Sequence, residues 1–453
     1  MKNLMMSLSL LLFCSAAESS DFRIRQYEGR VRINPNASQT QASLMLTQIQ
    51  DYASTEAMLL QSDGKSLVAS RVCDYSQCNQ SRYEVTIVRY NRDGSLDESF
   101  GRDGIVSVQA LLNRKNIAVN ALAVQPDKKI LAAGTSSNKG LVLRLNADGS
   151  LDETFGSDGV TEIEDTSSQA SRPHVSFNFL VLAQERILVV GYSAVDDSVA
   201  SGVILSALDS NGAVDIEFGE FGAAVLQAGE GIKLQTTSVS IDSKDRVVLA
   251  GTKRISGSSQ AIVWRYSANG VLDSSFGQDG IVGLRFTNVT ETYRTQIQSL
   301  ADGGVLVTGT NAIDDNQFQT FVTKLRSNGA TDTSFGKSGV STAPGVWVSS
   351  LLTTLDGRIL VGGTSSDFGQ GINLMQFSSD GMLDTSFGNQ GVMLFAGHDF
   401  DDDGIAQNIP MTARVKGIFM RREGDSELLV GGSMRSSRAS TEIHFLLNIS
   451  LER

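Results

Sequence analysis

Six residues offer the most specific chemistry in the chain. Asp399-Phe400-Asp401-Asp402-Asp403-Gly404 sets carboxylates at alternate positions before a Gly, with Gln407 at the ninth position. Oxygen ligands at alternate positions leading into a tight Gly turn are what a hard divalent cation requires of a loop. The segment lacks an acid at position twelve, where Pro410 stands, and at position nine. Asp399, Asp401 and Asp403 are therefore candidate calcium ligands, and calcium is the only cofactor the sequence suggests. The alternative is a solvated acidic loop.

Other reactive residues are sparse. Cys73 and Cys78 lie five apart in a polar stretch, the third Cys being Cys14. In an oxidising compartment such a pair reads as a disulfide closing a small loop. Two free or metal-binding thiols are the alternative, without a neighbouring His to support it. His174, His398 and His444 are isolated, and no Ser/His/Asp or Cys/His set has a recognisable spacing, so no catalytic residue is assigned. Trp264 and Trp347 read as packing residues rather than a sugar platform.

One acid recurs. Asp97, Asp152, Asp215, Asp273, Asp332 and Asp384 each stand three residues before a Phe, at Phe100, Phe155, Phe218, Phe276, Phe335 and Phe387. A ring of metal ligands or catalytic acids is one reading. The other is a turn acid accepting backbone N–H bonds two or three residues on, and it is favoured, because a carboxylate needed once per unit serves the unit. The Phe then plugs the gap between units, and the Gly after it permits positive φ.

The elements that position these residues follow from an internal repeat. NRDGSLDESFGRDGIV begins at Asn91, and variants return at Asn146, Ser210, Ala268, Ser327 and Ser379. Upstream of each motif stands an apolar run, a polar turn and a second apolar run ending in small residues, as in ALAVQPDKKILAAGTS from Ala121. This element occurs seven times, the last from Ile418. In the second unit, strands are expected at 121–125, 130–135, 141–145 and 160–163, the first two joined by the tight turn at Pro126. A four-stranded meander repeated around an axis is a propeller blade. The fold class expected is all-β: a β-propeller of seven four-stranded blades, the alternative being an open or six-bladed arrangement with the weaker first unit as an extension. The last unit runs out after three strands, and Val31–Ile33 is expected to supply its missing outer strand and close the ring.

The 453 residues, rich in Gly and with only 5 Pro, suit such an array as a single domain from residue 18 to residue 453. Residues 1–17 read as a cleaved secretory signal: Lys2, an apolar run from Leu4 to Phe13, then Ser15-Ala16-Ala17. A lipoprotein signal ending before Cys14 is disfavoured by the bulk of Phe13. The apolar run is too short for an ordinary membrane span, and no later stretch approaches one. A soluble periplasmic or secreted monomer is expected. The formal charge of −12, one unit more negative without Lys2, argues against nucleic acid or anionic lipid as a general partner.

QPDKKILAAG followed by RLNADGSLDETFGSDGV resembles the delta-60 repeat, a tandem unit of bacterial exported and surface proteins. The resemblance covers roughly residues 57–453. The third copy departs from it at Val214 and Glu217, and the fifth at Thr331. The resemblance implies a propeller, bacterial origin and export, and it implies no catalytic residues.

In a meander the first-to-second and third-to-fourth connections share one face, and here they are nearly identical in every unit. The remaining connections lie on the opposite face and vary, at 72–83, 164–178, 194–201 and 396–414. Loops free to differ on a rigid scaffold are where recognition concentrates. The expectation is a binding or scaffolding module using that face, with an unidentified protein or glycan partner. The alternative is an enzyme acting on a polysaccharide or small molecule in the central channel, for which Asp196, Asp197, Asp314 and Asp315 are the paired acids on short loops there.

Overall fold

The computed structural model describes residues 24–29, 31–33, 41–50, 52–73, 83–164, 174–184, 186–194, 202–227, 229, 232–314, 317–365, 371–400, 406–410, 412–420, 427–435 and 442–450. Those residues form strands almost throughout, with one five-residue helix at Val108–Leu112. The signal sequence expected at 1–17 lies outside them.

Seven antiparallel meanders follow one another. The second blade is typical: Ile117–Val124, Ile130–Ser136, Lys139–Leu145 and Val160–Ile163 pair in order. The first, third, fourth, fifth and sixth blades begin at Tyr52–Leu60, His174–Ala183, Ile232–Ile241, Glu291–Ser299 and Val346–Thr353 and repeat the pattern. The near-continuous runs of apolar and small residues along the middle strands are what bury both faces of each blade against its neighbours. The core is accordingly a series of clusters lying between blades. One gathers Leu131, Val142 and Phe155 of the second blade with Phe177, Leu180 and Val189 of the third.

The seventh blade departs from the expectation. Thr412–Met420, Glu427–Arg435 and Glu442–Ser450 pair in order. The strand that continues them is Gln41–Ile49, antiparallel to Glu442–Ser450, and Ile24–Gly29 adds a fifth beyond it. Val31–Ile33 does not join this blade. It pairs with Phe395, Ala396 and Gly397 at the outer edge of the sixth. The reason is apolar content: Gln41–Ile49 sinks Leu44, Leu46 and Ile49 into the core, which a three-residue strand cannot match.

Successive innermost strands contact one another in chain order. Thr412–Met420 lies against both Val346–Thr353 of the sixth blade and Tyr52–Leu60 of the first. The apolar clusters agree: one joins Leu360 and Leu374 to Ile418 and Leu428, another joins Leu429 and Leu446 to Met58 and Val68.

A candidate binding site at the axis

Each innermost strand carries a β-bulge at the same height. The unpaired residues are Glu56, Asn120, Asn178, Thr237, Arg294 with Thr295, Ser349 and Lys416. Every one is polar. In five blades the bulge pushes a carbonyl towards the second strand, and that strand answers with Gly; the first and fifth place Ser70 and Thr310 there. A Cβ on Gly134, Gly191, Gly251 or Gly432 would stand 1.9 Å from the oxygen of Ala118, Ser176, Gln235 or Arg414. In those five blades the Gly at the end of the second strand is what lets the bulged carbonyl approach.

Bulge residues of neighbouring blades meet. Asn120 Nδ2 donates to Phe177 O at 2.9 Å and to Asn178 Oδ1 at 3.4 Å. Thr237 Oγ1 donates to Thr295 O at 2.7 Å. Lys416 Nζ stands 3.8 Å from Glu56 Oε2. The bulges therefore line the axis with hydrogen-bonding groups.

On one sector this lining becomes cationic. Glu56 also pairs with Arg71 at 3.2 Å, and Arg71 lies over the Tyr83 ring at 5.3 Å. Arg414 precedes Lys416 by two residues, and Arg294 approaches from the fifth blade. Burial lowers the pKa of Lys416; Glu56 opposes the shift, and Arg294, Arg414 and Arg71 add to it. Arg294 is lowered by burial and then by Arg414. Yet Arg294, Arg414 and Lys416 are exposed. All three stand at or beside the bulges of innermost strands, so they border the recess around the axis. Cations from the first, fifth and seventh blades that feel one another share that recess. Among the described residues the carboxylates beside these cations are Glu56 and Glu442. Glu442 is buried, accepts a hydrogen bond from Ser433 and bonds to Tyr52.

Beside the cations stand half-buried aromatic rings. Trp347, on the sixth blade's innermost strand, lies 5.6 Å from Tyr293 and 5.0 Å from Phe318 by ring centroids, with the Arg294 guanidinium 6.0 Å from the indole. These residues sit at the starts of innermost and third strands, hence on the face of the variable connections. Trp264, in contrast, is fully buried within the fourth blade.

The repeated Asp and Phe residues are positioned otherwise. Each Asp accepts a backbone N–H two residues on, as Asp97 does from Ser99 at 3.2 Å and Asp273 from Ser275 at 3.0 Å. A second set of partners comes from strands. Arg89, Arg144 and Arg265, eight residues upstream, reach Asp97, Asp152 and Asp273 through Nε at 2.5, 2.6 and 2.8 Å. Their remaining nitrogens span to the next blade: Arg144 to Ser210 O at 2.6 Å, Arg265 to Ser327 O at 2.8 Å, Arg89 to Ala147 O. Each guanidinium covers the Phe of its own motif at 4.4 to 4.7 Å. A further cation at the start of the second strand, Lys65, Lys129, Arg186 or Arg246, reaches the same Asp in the first four blades. Burial pushes the Asp97 and Asp152 carboxyls up, but hydrogen bonds from Lys65, Ser99 and Arg89, and from Thr154, Lys129 and Arg144, outweigh it and hold both well below the usual range. A carboxylate neutralised twice in this way is committed to holding blades together. The six Phe side chains are all buried, four of them with the Gly of the next blade's turn against the ring.

Sequence reasoning missed the arginines. The signal is present in three motifs, Arg eight residues before Asp. It is obscured because the same position holds Ala207, Lys324 and Gln376 in the others. Arg186 replaces the missing cation in the third blade at 2.8 Å, and Gln376 donates to Asp384 at 2.7 Å in the sixth.

The remaining candidates are dispersed. Among the described residues no group of three His, Cys, Asp or Glu could hold a metal. Asp401 and Asp403 lie outside the described residues. Asp399 is described by its backbone alone, in Val392–Phe400, where it pairs with Gln407 of Ala406–Pro410. Cys73 ends the first blade's second strand and is buried, while Cys78 falls outside the described residues. Asp196, Asp197 and Asp315 fall outside them as well. A cavity of about 410 Å³ on the second blade is lined by Arg114, Lys115, Lys139 and Glu162. Its Arg114 and Lys139 already pair with Glu162 and Glu164, at 2.6 and 2.7 Å.

Four segments, 61–100, 125–155, 245–276 and 355–387, match the family described as "Domain of unknown function (DUF5122) beta-propeller". The chain thus carries repeats of a β-propeller family. No curated protein matches it in sequence. Among solved structures it is similar to the polysaccharide lyase Uly1, at 10% identity and a TM-score of 0.51, covering 88% of this chain and 90% of that one. A protein of unknown function from Dyadobacter fermentans shares 13% identity over 82% of this chain and 98% of its own, with a TM-score of 0.43. The Trypanosoma rangeli sialidase shares 8% over 89% and 56%, with a TM-score of 0.42. The likeness to Uly1 concerns the fold. Among the described residues no helix is long and apolar enough to cross a membrane.

Proposed function

We propose that this protein is an exported binding module that recognises its partner at the axial recess, on the face of the variable connections. The repeats are, on this reading, delta-60 repeats, and residues 1–17 direct export. One observation carries the proposal: Arg71 and Lys416 pair with the same carboxylate, Glu56, and Arg294 from another blade lies by half-buried Trp347 and Tyr293. Folding alone does not account for this, since cations crowded together oppose it. Such a cluster is kept where a ligand supplies the missing charge. The opposite face supports no comparable reading, because its Asp residues in the first four blades are saturated by the protein's own cations.

The test is a binding screen of purified protein against glycans and envelope extracts, run in parallel on Trp347→Ala with Tyr293→Ala. Ligands of the wild type are expected to be lost by the variant while its melting temperature stays close to that of the wild type. Retention of every ligand would move recognition away from the recess.

A further inference from the structure

Resting on the recess as the recognition site, we infer that its ligand is an acidic oligosaccharide, a chain of sugars bearing carboxylates. Three features of the recess meet the three features of such a molecule. Trp347 is half-exposed, packed by Tyr293 and Phe318 with the Arg294 guanidinium over its ring, and its remaining apolar surface is of the kind that the C–H face of a pyranose ring covers. The bulge residues Asn120, Asn178, Thr237 and Ser349 line the axis with amides and hydroxyls; Asn120, Thr237 and Ser349 already donate to protein oxygens, and the oxygens of the set have lone pairs that can accept from sugar hydroxyls. Among the described residues Arg71, Arg294, Arg414 and Lys416 outnumber the carboxylates Glu56 and Glu442, and a guanidinium matches a carboxylate in a two-pronged bond.

The same features disfavour other anions. A nucleic acid is held by a broad track of cations along its phosphates, and binding releases counterions in proportion to their number. Here four cations are recessed in a chain of formal charge −12. The net negative charge of the chain disfavours a long polyanion, so a short segment or a chain end suits the recess better. A flat lipid surface does not follow cations into a recess around the axis.

Calorimetric titration with a galacturonic acid hexamer and with its fully methyl-esterified form tests this directly, because the two differ in carboxylate charge. The acid form is expected to bind, the ester to bind at least about tenfold more weakly, and added salt to narrow the gap. Arg414→Gln combined with Lys416→Gln should remove the preference, and Arg414→Lys should restore part of it in a Lys416 background. Should the double variant fail to fold, the comparison of acid and ester on the wild type still decides. Equal binding of both forms, abolished by Trp347→Ala, overturns the acidic ligand and leaves the recess as the recognition site. Binding of either form that survives Trp347→Ala overturns both readings. No binding of the hexamer, or tighter binding of a thymidylate oligomer, overturns the acidic sugar.

Discussion

His444, on the seventh blade, shares a hydrogen bond of 2.6 Å with Ser70 of the first, and its other ring nitrogen bonds to Tyr90 at 2.8 Å. All three residues are buried. The contact joins a strand near the C-terminus to the first blade. Burial pulls the imidazole pKa down to about 3. A His whose folded pKa lies below its ordinary value stays neutral in the fold while the unfolded chain takes up a proton. Stability should therefore fall as pH drops below about 6.5, by roughly 1.4 kcal/mol per unit until the folded value is approached. Asp97 and Asp152, depressed in the fold, lose their contribution only below about pH 4, so the two windows separate. Chemical unfolding between pH 7 and pH 4.5, in wild type and His444→Gln, should show the slope in the first and a flatter profile in the second.

Arg144 is nearly inaccessible, and it connects Asp152, Phe155 and the next blade's Ser210. Arg144→Ala should cost about 3–5 kcal/mol, since the change breaks a buried pair. Lys129 still faces Asp152, so the lower end is expected. Phe155→Ala should cost about 3–5 kcal/mol by leaving a cavity between blades. Thermal melts of both variants check this, and wild-type melting for either would show that the blades are not latched there.

The repeat made the blades legible. Apolar alternation with a constant turn marks strands wherever it recurs, and the second blade's expected strands fall within a few residues of Ile117–Val124, Ile130–Ser136, Lys139–Leu145 and Val160–Ile163. What a repeat cannot show is what differs between its copies. Glu56, Arg294 and Lys416 occupy one structural position and share no residue type, so no motif reveals them. Arg71 and Trp347 join them only through the ring arrangement of blades far apart in sequence. The strand beyond Glu442–Ser450 was misplaced for a similar cause. Val31–Ile33 resembles an outer strand of the repeat, whereas Gln41–Ile49 is an irregular segment whose claim rests on Leu44, Leu46 and Ile49 finding a core.

The bulges give a sharper test of the axis geometry. Gly191→Ala places a Cβ 1.9 Å from the Ser176 carbonyl oxygen, a backbone atom that cannot step aside. The variant should lose on the order of 3 kcal/mol, in the upper range of overpacking effects. Gly257→Ala is the control: its φ is +89°, with nothing within 4 Å of an added Cβ. It should cost about 1–2 kcal/mol, from the left-handed backbone alone. Denaturant midpoints of the two variants, compared at constant slope, check the ordering.

The last prediction concerns Gln41–Ile49. This strand hydrogen-bonds along Glu442–Ser450 and buries Leu46 beside Phe445 and Leu447. Without it the seventh blade ends in an unpaired apolar edge, which invites aggregation. A chain begun at Tyr52 should melt well below one begun at Gln41, and it should aggregate on concentration. A chain begun at Gln41 lacks Ile24–Gly29 and Val31–Ile33 but keeps the blade's fourth strand, and it should lose little. A synthetic peptide of residues 41–50 added to the Tyr52 chain should raise its melting temperature in a concentration-dependent way, as a strand binding the native edge must. Equal melting of the two truncated chains, with no effect of the peptide, would show that the seventh blade is stable with three strands.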